Sequence, residues 1–320
     1  MKKKFIIVFV GIILFFTSWN LTNVKFDDPN KDKLLIEIIK YVLDKGHYQS
    51  KEINDEFSEK IFDTYLELID SQKKYFLASD LREFKKYKLQ LDDQWLSYDL
   101  TFFNLTFERL IQRMNEVEIF IPVLFDKSFN FDLDENINFD FENISYSKNN
   151  KQRIDRWRKQ LKYMALDIYD IKISEQKLSL KNNKEFKLKS NSKILNESTE
   201  LVKKNITQIF DLMNDLEKKD WFATYINSFV TQFDPHTYYF QPEDKERFDM
   251  NISGKFDGIG ARLSKKDGGI EIVDIILGGP VWRDKKLEIG DEIIKVGQGD
   301  QSPVDVIGMR LEDAIKLIKG

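Results

Sequence analysis

Phe256-Asp257-Gly258-Ile259-Gly260-Ala261-Arg262-Leu263 is a Gly-x-Gly turn running straight into a strand-forming sequence. Two glycines one residue apart let consecutive backbone N–H groups converge on one point, a nest suited to an anion such as a terminal carboxylate. The residues after Leu263 read as strands and turns. Lys265 to Gly269 is a hairpin turn containing Asp267-Gly268, and Ile270 to Leu277 is the return strand. Gly278-Gly279-Pro280 turns the chain again, and Leu287-x-x-Gly290-Asp291-x-Ile293 leads into another strand. Met309 to Lys319 has the spacing of an amphipathic helix, with Leu311, Ile315 and Ile318 along one side and Ala314 beside them. An exposed strand edge next to such a helix would hold an extended peptide by added-strand pairing. The peptide-binding candidates are therefore Gly258, Ile259, Gly260, Ala261, Leu311 and Ile315. On a purely structural reading, Gly258 and Gly260 permit only a bulge. A dinucleotide site is not implied, because the strand-to-helix context is missing.

Outward from this segment, glycine placement divides the chain. Of 14 glycines, Gly11 lies near the start and Gly46 ends the first helix, while the other twelve fall between Gly254 and Gly320. More than 200 residues without glycine cannot be dense in turns, so the 320-residue chain reads as a large helical domain followed by a small domain of strands and turns. Leu34, Leu35, Ile38, Ile39, Val42 and Leu43 form the first apolar stripe, stopped at Gly46. Phe57, Ile61, Tyr65, Leu68 and Ile69 form a second, after the start signal Asn54-Asp55. Ser79 and Asp80 open a third helix bearing Phe84, Tyr87 and Leu91. Further helices are expected from about Asp93 to Phe120, ending before Pro122, and from about Gln152 to Asp167. Two more are expected from about Ile194 to Lys218 and from Trp221 to Gln232, the last broken by Asp234-Pro235. Phe129 to Ile144 alternates apolar and polar residues and reads as an extended or irregular insert burying every second side chain. Lys181 to Lys193 reads as solvated linker or helix surface. The 26 Phe and 12 Tyr stand mostly at helical spacing and mark a packed core rather than a cofactor platform.

The first twenty residues read as a targeting segment: Lys2 to Lys4 precede Phe5 to Phe16, which is apolar apart from Gly11. That run is shorter than the roughly 20 residues a spanning helix needs, and the expectation is export, as a signal peptide or short membrane anchor over 1–22. From Phe26 onward the chain carries a net charge of −8, against −4 overall, which argues against nucleic acid as a partner. With no cysteine and only His47 and His236, thiolate or histidine metal sites and a cysteine nucleophile are excluded, and no cofactor is implied. His236 beside Asp234 has the composition of a general base, but without a placed nucleophile it reads as structural.

Several motifs in one order resemble a known family. Asp234-Pro235-His236-Thr237-Tyr238-Tyr239-Phe240 is followed by Phe256 to Ala261, by Leu287-Glu288-Ile289-Gly290-Asp291-Glu292-Ile293, by Val296-Gly297-Gln298, and by Val304 through Ala314. Together these are similar to the tail-specific, or carboxy-terminal processing, proteases of bacteria. His47-Tyr48, Asn54-Asp55-Glu56 and Tyr75-Phe76 with Ser79-Asp80 match that family's N-terminal helical domain. The resemblance implies an α+β chain, with a large all-α N-terminal domain over 26–250 and a small β-rich PDZ domain over 251–320 that lacks a closing strand. It also implies a periplasmic location and C-terminal tails of substrate proteins as partners, with the carboxylate on Gly258 to Ala261. Family members pair a serine nucleophile with a lysine base in a domain after the PDZ module. No serine here, Ser253, Ser264 and Ser302 included, is marked as activated, so no catalytic residue is expected in this chain. It would then be the recognition half of such an enzyme, or else a non-enzymatic peptide-binding or scaffold protein.

Overall fold

The computed structural model describes residues 29–126, 129–254, 258–266 and 269–319. The apolar leader, Phe256, Asp257 and the Asp267-Gly268 turn lie outside the described residues. The described chain is α+β, helical to Ser253 and then a small β-rich segment.

Helix α1 (Pro29–Gly46) ends on the expected glycine, but its stripe is split. Ile36 and Leu43 are buried, whereas Leu34, Ile38 and Val42 are more than half exposed. Helix α2 (Asp55–Asp70) begins where Asn54 Oδ1 accepts the Phe57 amide at 3.1 Å. It buries Phe57, Ile61, Tyr65 and Ile69 as expected, adds Phe62 and Leu66, and leaves Leu68 exposed. The expected third helix is shorter: α3 (Ala78–Phe84) passes into a single 3₁₀ turn, and Leu91 opens α4 (Leu91–Ser97) instead.

The single helix expected from Asp93 to Phe120 is two. Tyr98 takes a left-handed φ of 58° and ends α4, and Asp99 Oδ1 accepts the Thr101 amide at 3.0 Å to start α5 (Thr101–Phe125). The buried Gln94 side chain also accepts the Phe102 amide at 3.1 Å, so a side-chain bond across eight residues fixes the break. Pro122 does not stop α5, because its own φ is helical and it forfeits only one N–H bond close to the end. Helix α6 (Asn150–Asn182) runs a further fifteen residues past the expected Asp167. Residues 183–190 form a short coil before α7 (Asn191–Asn214), and α8 (Lys218–Phe233) ends at Asp234-Pro235 as expected. The insert from Phe129 has no regular structure; only Phe129 is buried, Phe131, Glu135, Ile137 and Phe141 are half-buried, and Leu133 and Phe139 are exposed, so the expected burial of every second side chain is not met.

Two compact units divide this chain. The first comprises the described residues up to Phe120 with Asn136–Trp157 and Ser228–Thr237. Its core is aromatic: Trp95 stacks on Phe229 with centroids 4.5 Å apart, and Phe57 meets Phe229 and Phe233 edge-on. Such offset and edge contacts suit the ring quadrupoles. Buried Asp80 binds Arg109 and Arg113 at 2.5 and 2.8 Å and accepts the Leu77 amide at 2.8 Å. Glu116 in turn joins Arg113 to Arg153, whose Nη1 donates to the Tyr75 carbonyl at 2.8 Å. Burial would raise the Asp80 carboxyl, but Arg113, the Leu77 amide and Arg109 hold it below its ordinary range.

The second unit comprises Ile121–Glu135, Arg158–Asn227 and Tyr238 to the end. Helix α9 (Pro242–Ser253) has proline at its N-terminus and the left-handed Gly254 at its C-cap. Strands β1 (Ala261–Lys266), β2 (Gly269–Ile275) and β3 (Glu292–Ile293) form an antiparallel sheet in that order, with a bulge between Arg262 and Leu263. Short helix α10 (Pro280–Asp284) follows β2, and β4 (Lys295–Val296) pairs with β5 (Val304–Asp305). Helix α11 (Leu311–Lys319) closes over a core of Ile270, Val306 and Ala314. Lys265 reaches Asp215 at 2.7 Å, and Arg310 reaches Glu217 and Asp220 at 2.7 and 3.2 Å.

Candidate functional site

The site is built on β1 and the bend that precedes it. Gly258, Ile259 and Gly260 form that bend and deliver the chain into β1 at Ala261. The bend is held from one side only. The Ile259 carbonyl accepts the Val281 amide and the Gly260 carbonyl accepts the Ile276 amide, both at 2.9 Å. Among the described residues, neither Ile259 nor Gly260 donates its own amide to a backbone acceptor. The glycines serve different ends. Gly260 has φ +77°, and a Cβ there would stand 2.9 Å from Gly279 Cα and 3.0 Å from Pro280 Cδ. Gly258 has φ +147°, and a Cβ there meets only Lys319 Cγ at 3.8 Å. One glycine thus permits close approach of two backbones, while the other faces the last turn of α11.

In the three-stranded sheet, β1 is an outer strand, paired only with β2. Helix α11 packs beside it. Ala314 is fully buried, which brings the helix axis close to the sheet. The expected helix residues separate here. Leu311 packs against the core and opens α11, about 12 Å along the axis from the glycine bend at Lys319. Ile315 and Ile318 are half-buried and lie closer to the bend. Ile315 lies one helical turn nearer than Leu311 to the Lys319 end of α11. The position of Lys319 opposite Gly258 and the packing of Gly260 on Gly279-Pro280 were not legible in the sequence. Both depend on segments that only the folded sheet brings together.

The other candidate dissolves into structure. The His236 backbone amide, rather than its ring, donates to Asp234 Oδ1 at 2.6 Å. Tyr48 donates its hydroxyl to Asp234 Oδ2 at 2.6 Å, and that bond holds the Asp234 carboxyl below its ordinary range. His47 Nε2 lies 3.3 Å from Thr237 Oγ1, with its ring edge-on to Phe233. Two motifs 186 residues apart thus clasp one another.

Comparisons with known proteins fit this architecture. The family profile described as the tail-specific protease N-terminal domain matches residues 39–243, and that of the PDZ domain matches residues 245–320. A tail-specific protease of Haemophilus influenzae is 32% identical over 279 residues, covering 87% of this chain and 37% of that protein. The carboxy-terminal processing protease CtpA of Bacillus subtilis is 39% identical over 87 residues, 27% of this chain and 17% of that protein. A crystal structure of the PDZ domain of a carboxy-terminal protease from Vibrio cholerae, in complex with peptide, is 48% identical. It covers 20% of this chain and 64% of that one, with a TM-score of 0.20. The chain spans little more than a third of the length of the Haemophilus relative. Among the described residues no helix is long and apolar enough to cross a membrane.

Proposed function

The chain belongs to the tail-specific protease family, and from that premise we propose that it supplies substrate recognition for a serine-type carboxy-terminal processing protease, by binding the C-termini of other polypeptides. The observation that carries the reading is the outer strand β1, which begins at a glycine bend whose Ile259 and Gly260 amides have no backbone acceptor among the described residues, and which runs beside α11. A peptide in extended form would add to β1 as a further strand. Its terminal carboxylate would accept hydrogen bonds from the Ile259 and Gly260 amides, with Ala261 beginning the pairing. Gly258 leaves the approach open, and the last apolar side chain would rest on Ile315 and Ile318. An apolar tail suits this surface, since its burial is the main non-directional gain. The nucleophile and base belong to residues outside 1–320. The apolar run Phe5–Phe16 would carry the chain into the periplasm as a signal peptide or short anchor.

The test is titration of the 320-residue chain with a fluorescent peptide of apolar C-terminus, as free acid and as amide. Charge-assisted hydrogen bonds to the carboxylate make the acid bind about tenfold tighter or more. Equal affinity for the two would remove the reading.

A further inference from the structure

The half-used stripe of α1 is unexplained by the peptide site. Leu34, Ile38, Tyr41 and Val42 are 54, 51, 65 and 57% exposed, whereas Ile36 and Leu43 on the opposite side are buried. At helical spacing these four cover an arc of about 100°. The charged residues within that arc are Lys31 and Lys45, one at each end of the helix. The carboxylates of α1 lie outside it, and Asp44 is paired with Lys40 at 2.8 Å. An apolar strip flanked by cations and free of anions complements a surface of hydrocarbon beneath negative headgroups, where lysine stems lie along the apolar layer and their ammonium groups reach the phosphates. The chain itself points to that occupant. Twelve residues separate Pro29 from the apolar run Phe5–Phe16, which follows Lys2 to Lys4. A tether of that length reaches at most about 40 Å.

We propose that α1 lies on an anionic phospholipid surface through Leu34, Ile38, Tyr41 and Val42, with Lys31 and Lys45 at the headgroups. The proposal extends the reading of an exported chain, since that reading decides which face of the membrane is met. The contact itself is tested separately. The chain has no cysteine, so Ile38→Cys accepts a single environment-sensitive nitrobenzoxadiazole label. The full 320-residue chain is mixed with vesicles of phosphatidylglycerol and phosphatidylethanolamine, and with phosphatidylcholine alone. Emission at position 38 is expected to rise about twofold or more, with a blue shift, on the anionic vesicles. A label at Leu68→Cys, exposed on α2, stays unchanged. Lys31→Glu with Lys45→Glu abolishes the change at position 38. Vesicle-bound chain with an unshifted label at 38 would overturn the proposal and leave the leader as the sole membrane contact. A shift that grows with protein concentration and needs no lipid would overturn it in favour of a second copy of the chain.

Discussion

Replacing Gly260 by alanine isolates the feature on which the peptide site is built. At φ +77° a residue with a Cβ loses about 1–2 kcal/mol relative to glycine from backbone sterics alone. The new methyl would also stand 2.9 Å from Gly279 Cα and 3.2 Å from Pro280 N, both backbone atoms that cannot rotate away. Forcing such a contact typically costs a further 1–3 kcal/mol or so, for a loss of about 2–5 kcal/mol. A segment of some seventy residues holds only about 3–10 kcal/mol in total, so the change approaches its whole stability. Native-state hydrogen exchange read by mass spectrometry on peptides covering β1 and β2 is the direct assay. Protection there should fall by about 30-fold to several thousandfold, while the peptides of α2 and α4 are unaffected. Gly258→Ala is the control, because its Cβ meets nothing nearer than 3.8 Å and only the backbone preference is lost, about 1 kcal/mol. Gly258→Val should weaken capture of a free C-terminus while leaving most of that protection in place. If Gly260→Ala is as mild as Gly258→Ala, the close approach of Gly260 to Gly279-Pro280 is not what shapes the bend, and the argument for its geometry fails.

Asp80→Asn removes the charge between Arg109 and Arg113 at a fully buried position, and should lower stability by about 3 kcal/mol. A melting temperature within a degree of the parent chain would show that the two arginines find solvent instead. Glu135 is held down to about 2 by hydrogen bonds from Arg158 and Lys162, below its unfolded value near 4.3. Its contribution is therefore present above about pH 4.3 and is lost as pH falls towards 2, amounting to at most about 3 kcal/mol. Glu135→Gln should flatten that part of the acid-unfolding curve measured in urea, and an unchanged slope between pH 4 and 2 or so would contradict the pairing.

Helix punctuation was legible wherever the signal is local. Asp234-Pro235 ends a helix because proline fixes its own φ, denies an N–H and pushes the residue before it out of the helical region, and Asn54 starts one by its own side chain. The break within Asp93 to Phe120 was hidden, because it depends on Tyr98 turning left-handed and on Gln94 reaching across to Phe102. Of the site, the glycine bend and its strand could be read, whereas apolar spacing marks a helix face without saying which end of it meets the loop.

By itself the sequence determined the division into helical and β-rich parts, the acidic body, the absence of thiol chemistry and the motifs of the family, since these follow from composition and local backbone preference. Only the tertiary structure decided which glycine is sterically required, that β1 is an outer strand beside α11, that Tyr48 clasps Asp234, and that α1 keeps half its apolar stripe unburied. Each of those depends on what lies across a gap in space from residues far apart in the chain, and a linear pattern of residue types carries no distance of that kind.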